Sequence, residues 1–130
     1  MTDSYAKSWI TKALEDMRVA EHEAELGKDE MVTGAVCFHS QRAVEKLLKA
    51  FLISHNVEFS RTHYVVYLLT LCSEVERQFS EINLGDMNYY AVRARYPDGD
   101  SPTISEEEAL HALETAQLVK KMVLSKLCDS

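Results

Sequence analysis

The stretch VCFHSQRAVEKLLKAFL, residues 36–52, decides the fold of this chain. At about 100° per residue, its apolar and small side chains fill an arc of about 160° to 200° on a helical wheel. The arc consists of Val36, Cys37, Ser40, Ala43, Val44, Leu47, Leu48, Phe51 and Leu52. A helix at the edge of a small bundle needs a stripe of only about 100°. We therefore predict a helix that is central in a bundle, or that a partner chain covers on a second side.

Four basic side chains follow the polar side of this helix at steps of three and four residues: His39, Arg42, Lys46 and Lys49. One interpretation is a solvated face on which Glu45 pairs with Lys49, because residues four apart on a helix are neighbours. Another is a strip that faces phosphate groups. A third is a packed polar network between helices, because Gln41 and Glu45 border the apolar arc and a buried glutamate must be paired. The sequence leaves these three interpretations open.

Phe38 lies beyond the apolar arc, between Glu45 and Lys49 on the wheel. In a monomer this position would leave the ring half exposed. An exposed aromatic ring surrounded by charged side chains is typical of an interface or a stacking surface. We therefore predict that Phe38 contacts a second copy of the chain or a ligand.

The remaining sequence predicts three further helices and no strand. The predicted bounds of the four helices are about 3–26, 29–55, 62–79 and 105–127, with a short helical piece at about 87–93. Gly27 and Asn56 are expected terminators, because both tolerate the left-handed backbone that ends many helices. Thr62 is the expected N-cap of the third helix, and Ser105 with Glu108 forms a capping box on the fourth. The fold class is therefore all-α: an up-down-up-down four-helix bundle with a short extra helical segment before the last helix.

Composition limits both the class of protein and its partners. The chain has 130 residues, enough for a single domain, and 46% of them are hydrophobic. With 14 basic and 21 acidic residues the net charge is −7, so any phosphate or nucleic-acid site must be a local basic patch. Three widely spaced cysteines suit buried thiols in a reducing cytoplasm. No segment resembles a signal peptide or a membrane span, so we expect a soluble cytoplasmic protein that does not associate with membranes.

One motif has the spacing of a pair of metal ligands. Glu108 and His111 form an E-x-x-H, which di-iron bundles use to place two ligands on one helical face. Such sites need a second E-x-x-H, which the sequence lacks, and Glu108 is already explained as a capping residue. Glycine-rich motifs for phosphate or dinucleotide binding are also absent from the sequence. We therefore expect neither a metal nor a cofactor.

Three segments in this order carry a resemblance to a known family. They are VCFHSQRAVEKLLKAFL, RTHYVVYLL at 61–69 and VRARYPDG at 92–99. Together they resemble the HEPN family, named for higher eukaryotes and prokaryotes nucleotide-binding. The resemblance covers nearly the whole chain and implies a helical bundle that commonly forms homodimers. It also implies a role similar to that of the substrate-binding partner of small nucleotidyltransferases.

Many members of that family are instead metal-independent endoribonucleases, including toxins of toxin–antitoxin pairs. Their signature is an arginine followed, after four to six residues, by a histidine. No arginine of this sequence has a histidine at that distance, and Arg18 precedes His22 with only three residues between them. The resemblance therefore leaves enzymatic activity open and favours its absence.

The polar residues of these segments give the predicted ligand contacts. The first set is His63, Arg93, Arg95 and Tyr96, and the second set is Arg42, Glu45 and Lys46. A histidine and two arginines that converge would receive a phosphate group, because a guanidinium binds phosphate through two hydrogen bonds. The alternative is structural: Arg95 pairs with Glu45 or Asp98, and His63 caps a helix.

Three functions follow as hypotheses. The first is a homodimer that binds nucleotide or phosphate and works with a nucleotidyltransferase-type partner. The second is an endoribonuclease with RNA as substrate, whose histidine and arginines occupy a displaced site. The third is a protein-interaction module without catalysis.

Overall fold

The computed structural model describes residues 4–27, 29–85, 87 and 104–127. Within these residues the chain forms α-helices, one short 3₁₀ helix and no strand. Their bounds are α1 (Ser4–Glu25), α2 (Thr33–Ser54), α3 (Val65–Val75), the 3₁₀ helix (Arg77–Glu81) and α4 (Glu106–Lys126). The predicted all-helical bundle is confirmed, and no helix among the described residues is long and apolar enough to cross a bilayer. The helical piece predicted at 87–93 lies outside the described residues, apart from the buried Met87.

The second helix, α2, is the centre of the bundle. Fourteen of its 22 residues are buried, against four of 22 in α1. It packs against α1, α4 and α3, whereas α1 and α4 touch each other much less. The wide apolar arc of α2 is therefore used within one chain, which confirms the prediction of a central helix.

Contacts at both ends of α2 give the direction of α4. At the start of α2, Thr33 Oγ1 donates to the Ile104 carbonyl oxygen, just before α4, at 2.8 Å. At the other end, His55 Nε2 lies 3.1 Å from the carbonyl oxygen of Lys126, the last residue of α4. The two helices therefore run in the same direction, as the second and last helices of an alternating bundle do.

Residues 56–64 connect α2 to α3, and we refer to them as the return segment. Asn56 opens the segment in the left-handed conformation, with φ of 58°. The chain then runs back along α2, and the His63 carbonyl oxygen accepts a hydrogen bond from Gln41 Nε2 at 3.1 Å. From there it continues into α3, which packs on α2. The alternating order predicted from the sequence did not include this return, which carries His63 to the middle of α2.

The predicted ends of α1, α2 and α4 are mostly confirmed. Gly27 follows α1 with φ of 85°, and Asn56 follows α2 in the left-handed conformation. In the capping box of α4, Ser105 Oγ accepts from the Glu108 amide at 3.0 Å, and Glu108 Oε1 accepts from the Ser105 amide at 3.1 Å. The predicted start of α2 at about residue 29 was wrong, because the helix begins four residues later, at Thr33.

The predicted bounds of α3 were also wrong. Thr62 is not its N-cap, because Thr62 Oγ1 accepts from the Tyr64 amide at 3.0 Å and closes a turn ahead of the helix. The helix begins at Val65 and ends at Val75. Phe79, which the sequence placed in the same helix, is buried in the 3₁₀ helix. The apolar stripe thus continues through a break in the helix.

Candidate functional site

Glu45 is a buried carboxylate on the side of α2 that meets the return segment. The residue is 2% exposed. Its Oε2 accepts a hydrogen bond from Lys49 Nζ at 3.0 Å, and its Oε1 accepts one from Arg42 Nη1 at 3.2 Å. His63 Nδ1 lies 3.0 Å from the same Oε1. We define these four residues as the Glu45 cluster; the three partners explain why a carboxylate is tolerated inside the bundle.

The interpretation as a solvated face is wrong for Glu45 and Lys49, because both residues are buried. The predicted pair of Glu45 and Lys49 is confirmed. A packed polar network was predicted between helices; here it joins α2 to the return segment, because His63 belongs to that segment and the other members belong to α2. Gln41, which is 1% exposed, supports the same contact through its hydrogen bond to the His63 carbonyl oxygen. The return segment is therefore held to α2 by both the backbone and the side chain of His63.

The imidazole of His63 is held at Nδ1, although its side chain is 71% exposed. Nδ1 lies 2.7 Å from Arg42 Nη1 and 3.0 Å from Glu45 Oε1. One ring nitrogen cannot donate and accept at once: a protonated Nδ1 donates to Glu45, and an unprotonated Nδ1 accepts from Arg42. Whether Nδ1 carries a proton therefore decides whether Glu45 or Arg42 holds the ring. Nε2 has no hydrogen-bond partner within the described ranges.

Phe38 supports the guanidinium of Arg42. The Arg42 Cζ atom lies 5.1 Å from the centroid of the Phe38 ring, within the range of a cation–π contact. The His39 ring packs edge-on against the same phenyl ring, with the centroids 5.2 Å apart. The half-buried Phe38 therefore helps to orient Arg42, and its contact with a second copy or a ligand stays a prediction.

The carboxylate of Asp16 on α1 pairs with the other two basic side chains of the strip. Lys46 Nζ lies 2.6 Å from Oδ2, and His39 Nδ1 lies 2.8 Å from Oδ1. We define these three residues as the Asp16 cluster. The Asp16 side chain is 13% exposed and that of Lys46 is 25% exposed, so this carboxylate and its lysine are more open to solvent than Glu45 and Lys49. The four basic residues of the strip are thus divided between two carboxylates.

The permanent charges of the two clusters leave a small positive excess. Arg42, Lys46 and Lys49 carry three positive charges against two carboxylates, and a protonated histidine would add to them. The chain as a whole carries −7. The polar side of α2 is therefore a local basic patch on an acidic molecule, which is what an anionic ligand would need.

The structure brings together three of the seven predicted ligand residues. His63, Arg42 and Glu45 meet in the Glu45 cluster, and Lys46 lies in the neighbouring Asp16 cluster. Arg93, Arg95 and Tyr96 lie outside the described residues, and so does the alternative pairing of Arg95. His63 stands two residues ahead of α3 in the return segment, where it contacts Glu45 instead of capping a helix.

Asp16 was not predicted as a partner of the basic strip. Asp16 stands beside the buried Met17, at the edge of the inward face of α1. An acidic residue at such an edge is a weak sign of pairing with a neighbouring helix. To identify its partner one needs the register between two helices, which a single sequence does not give.

The described cysteines contribute no reactive group to either cluster. Cys37 and Cys72 are both buried. Burial raises the pKa of the Cys72 thiol from 9.0 to about 12, so its thiolate does not form near neutral pH. The described part of the chain also contains no group of three or more side chains arranged to hold a metal ion. The candidate site therefore consists of imidazole, guanidinium, ammonium and carboxylate groups.

Comparison with known protein families agrees with the fold. The family model described as the HEPN domain matches residues 6–127, nearly the whole chain. The chain belongs to the HEPN family. The resemblance carried by the three sequence segments is thereby confirmed, and the Glu45 cluster is part of this HEPN domain. No curated protein and no solved structure matches the chain.

Proposed function

We propose that this HEPN protein binds nucleotide or phosphate groups at Arg42 and His63, as a cytoplasmic homodimer that works with a small nucleotidyltransferase. One observation carries the proposal: a guanidinium and an exposed imidazole stand 2.7 Å apart, beside one buried carboxylate. Glu45 holds the guanidinium, and either Glu45 or Arg42 holds the imidazole at Nδ1, so both groups are in place before any ligand arrives. Preorganised donors of this kind lose less freedom when they bind an anion.

The geometry of Arg42 suits an oxyanion. Its Nη1 faces both Glu45 and His63. A guanidinium has five N–H donors, so others remain for the oxygens of a phosphate group. The phenyl ring of Phe38 restricts the guanidinium further. Arg42 can therefore donate to the Glu45 carboxylate and to a ligand at the same time.

His63 adds a second donor to the same site. An imidazole that carries protons on both ring nitrogens donates from Nδ1 to Glu45 and can donate from Nε2 to the anion. Arg42 Nη1 is then left to Glu45 and to the ligand.

The outer side of α3 supports the proposed homodimer. Val66 and Tyr67 on this helix, and Tyr64 just before it, are exposed. A helix that is apolar on most sides is usually covered, and exposed apolar patches mark interaction surfaces. We propose that a second copy of the chain covers α3. The nucleotidyltransferase partner follows from the family resemblance.

Isothermal titration calorimetry with adenosine monophosphate and with inorganic phosphate tests the binding site. We expect Arg42→Gln to weaken binding by about tenfold or more, because a charge-assisted hydrogen bond contributes roughly 1.5 to 3 kcal/mol. Arg77→Gln is the matched control, since Arg77 is an exposed arginine of the 3₁₀ helix and belongs to neither cluster.

The control variant Arg77→Gln should bind adenosine monophosphate and inorganic phosphate like the wild type. Absence of binding by the wild type, or equal losses in Arg42→Gln and Arg77→Gln, would overturn the proposed site. Light scattering tests the homodimer separately: a species of 14.8 kDa at micromolar concentration would count against it.

The pair of Glu45 and His63 also favours a second candidate, a metal-independent endoribonuclease. A carboxylate that accepts from Nδ1–H leaves Nε2 unprotonated, as a proton acceptor for a ribose 2′-hydroxyl group. The 2′-oxygen would attack the phosphorus and displace the 5′-oxygen, which would take up the proton that Nε2 had accepted, while Arg42 donates to the phosphorane oxygens. RNA cleavage measured without divalent metal tests this function, and His63→Ala and Arg42→Gln should each lower the rate by about 100-fold. Cleavage that persists in both variants would exclude these residues as the catalytic groups.

A further inference from the structure

A separate pocket of about 590 Å³ opens between the start of α1, the last turns of α2 and the return segment. Lys49, which lines it, also binds Glu45, so the pocket adjoins the Glu45 cluster without including Arg42 or His63. The lining residues are Tyr5, Trp9, Lys49, Ile53, Glu58, Phe59 and Arg61. The pocket therefore combines aromatic side chains with charged ones.

Three aromatic rings line this pocket. Tyr5 and Trp9 stand four residues apart on α1, and their rings meet edge-on with the centroids 6.3 Å apart. Phe59 reaches the pocket from the return segment and packs against the core. Tyr5 is 60% exposed, which is unusual for a large aromatic side chain beside a tryptophan. Such a group of rings offers flat apolar surface to a planar ligand.

The polar groups of the pocket are mostly hydrogen-bond donors. Lys49 Nζ lies 5.1 Å from the centroid of the Trp9 ring and is already paired with Glu45. Trp9 Nε1 is buried and has no acceptor within the part of the chain that the structure describes. Arg61 is exposed and likewise has no ion pair among the described residues. Glu58 is the only carboxylate in the described lining, so a ligand that presents acceptors fits the pocket best.

We propose that this pocket binds a planar aromatic ring that carries one anionic group. The ring packs on Trp9 and Tyr5, and the anion pairs with Arg61. This site goes beyond the proposed phosphate site, because Arg61 and the aromatic rings do not belong to the Glu45 cluster. Two sources share the required chemistry, a nucleoside monophosphate and a free aromatic carboxylate.

Fluorescence of Trp9 tests the proposal directly, because Trp9 is the only tryptophan of the chain. The probes are adenosine monophosphate, benzoate, adenosine and inorganic phosphate. We expect a saturable change of Trp9 emission with the first, the second or both. Adenosine lacks the anionic group and inorganic phosphate lacks the ring. At this pocket, as measured by Trp9 emission, both should bind at least about tenfold more weakly. A response to adenosine monophosphate alone assigns the pocket to nucleotides, and one to benzoate assigns it to aromatic acids.

Arg61→Gln should weaken the response by about tenfold, whereas Arg77→Gln should leave it unchanged. Circular dichroism establishes that each variant is folded. The proposal is overturned if no probe gives a saturable change, or if Arg61→Gln responds like Arg77→Gln.

Discussion

The Glu45 cluster and the Asp16 cluster use the same chemistry at different depths. The Glu45 side chain is 3% exposed and that of Asp16 is 13% exposed. The lysines differ more: the side chain of Lys49 is 7% exposed, and that of Lys46 is 25% exposed. A charge that loses its partner near the surface can be solvated by water, whereas a buried one cannot. Burial of the partner, more than the number of ion pairs, should therefore decide what each carboxylate contributes to stability.

Replacement of Glu45 should have the largest effect. We expect Glu45→Gln to lower the free energy of unfolding by about 3 to 5 kcal/mol, because it leaves the buried Lys49 ammonium without a carboxylate. Urea denaturation followed by circular dichroism measures this change.

The double variant Glu45→Gln with Lys49→Met is the matched control for that prediction. It removes both buried charges, so it should recover a large part of the lost stability. A loss below about 1 kcal/mol in the single variant would show that water reaches Lys49, and the contrast between the clusters would fail.

Replacement of Asp16 should have a smaller effect. Asp16→Asn leaves Lys46 and His39 without a carboxylate, but both side chains retain contact with water. We expect the free energy of unfolding to fall by about 1 kcal/mol, as for a partly exposed ion pair. The same urea measurement gives the value, and a loss equal to that of Glu45→Gln would contradict the role assigned to burial.

A change of ionic strength should produce the smallest difference between the stabilities of the two carboxylate variants. Raising the ionic strength from about 0.1 M to 1 M shortens the Debye length from about 10 Å to 3 Å. The destabilisation caused by Asp16→Asn should then shrink by a few tenths of a kcal/mol, because the wild-type pair is partly screened. The destabilisation caused by Glu45→Gln should stay constant. Equal salt dependence in both variants would mean that the two carboxylates are equally accessible to solvent.

The fold was predictable where it depends on local sequence. The broad apolar arc of residues 36–52 identified α2 as the central helix, and Ser105 with Glu108 marked the start of α4. Helix periodicity and capping depend on neighbours within a few residues, so one sequence contains them. The pairing of Glu45 with Lys49 was predictable for the same reason.

The candidate site depends on contacts that local sequence does not fix. His63 meets Glu45 only because the return segment runs back along α2, and that path depends on packing across the bundle. Lys46 finds Asp16 through the register between α1 and α2. The sequence therefore supplied the residue types of the site, whereas the fold decided which of them meet.

The most direct test of the account is an NMR titration with inorganic phosphate that follows the side-chain signals of His63 and Arg42. We predict that both signals shift in a saturable way with one dissociation constant, while the Arg77 guanidinium signal does not move. Signals of His63 and Arg42 that remain unchanged at saturating phosphate, or that move no more than the Arg77 signal, would contradict it.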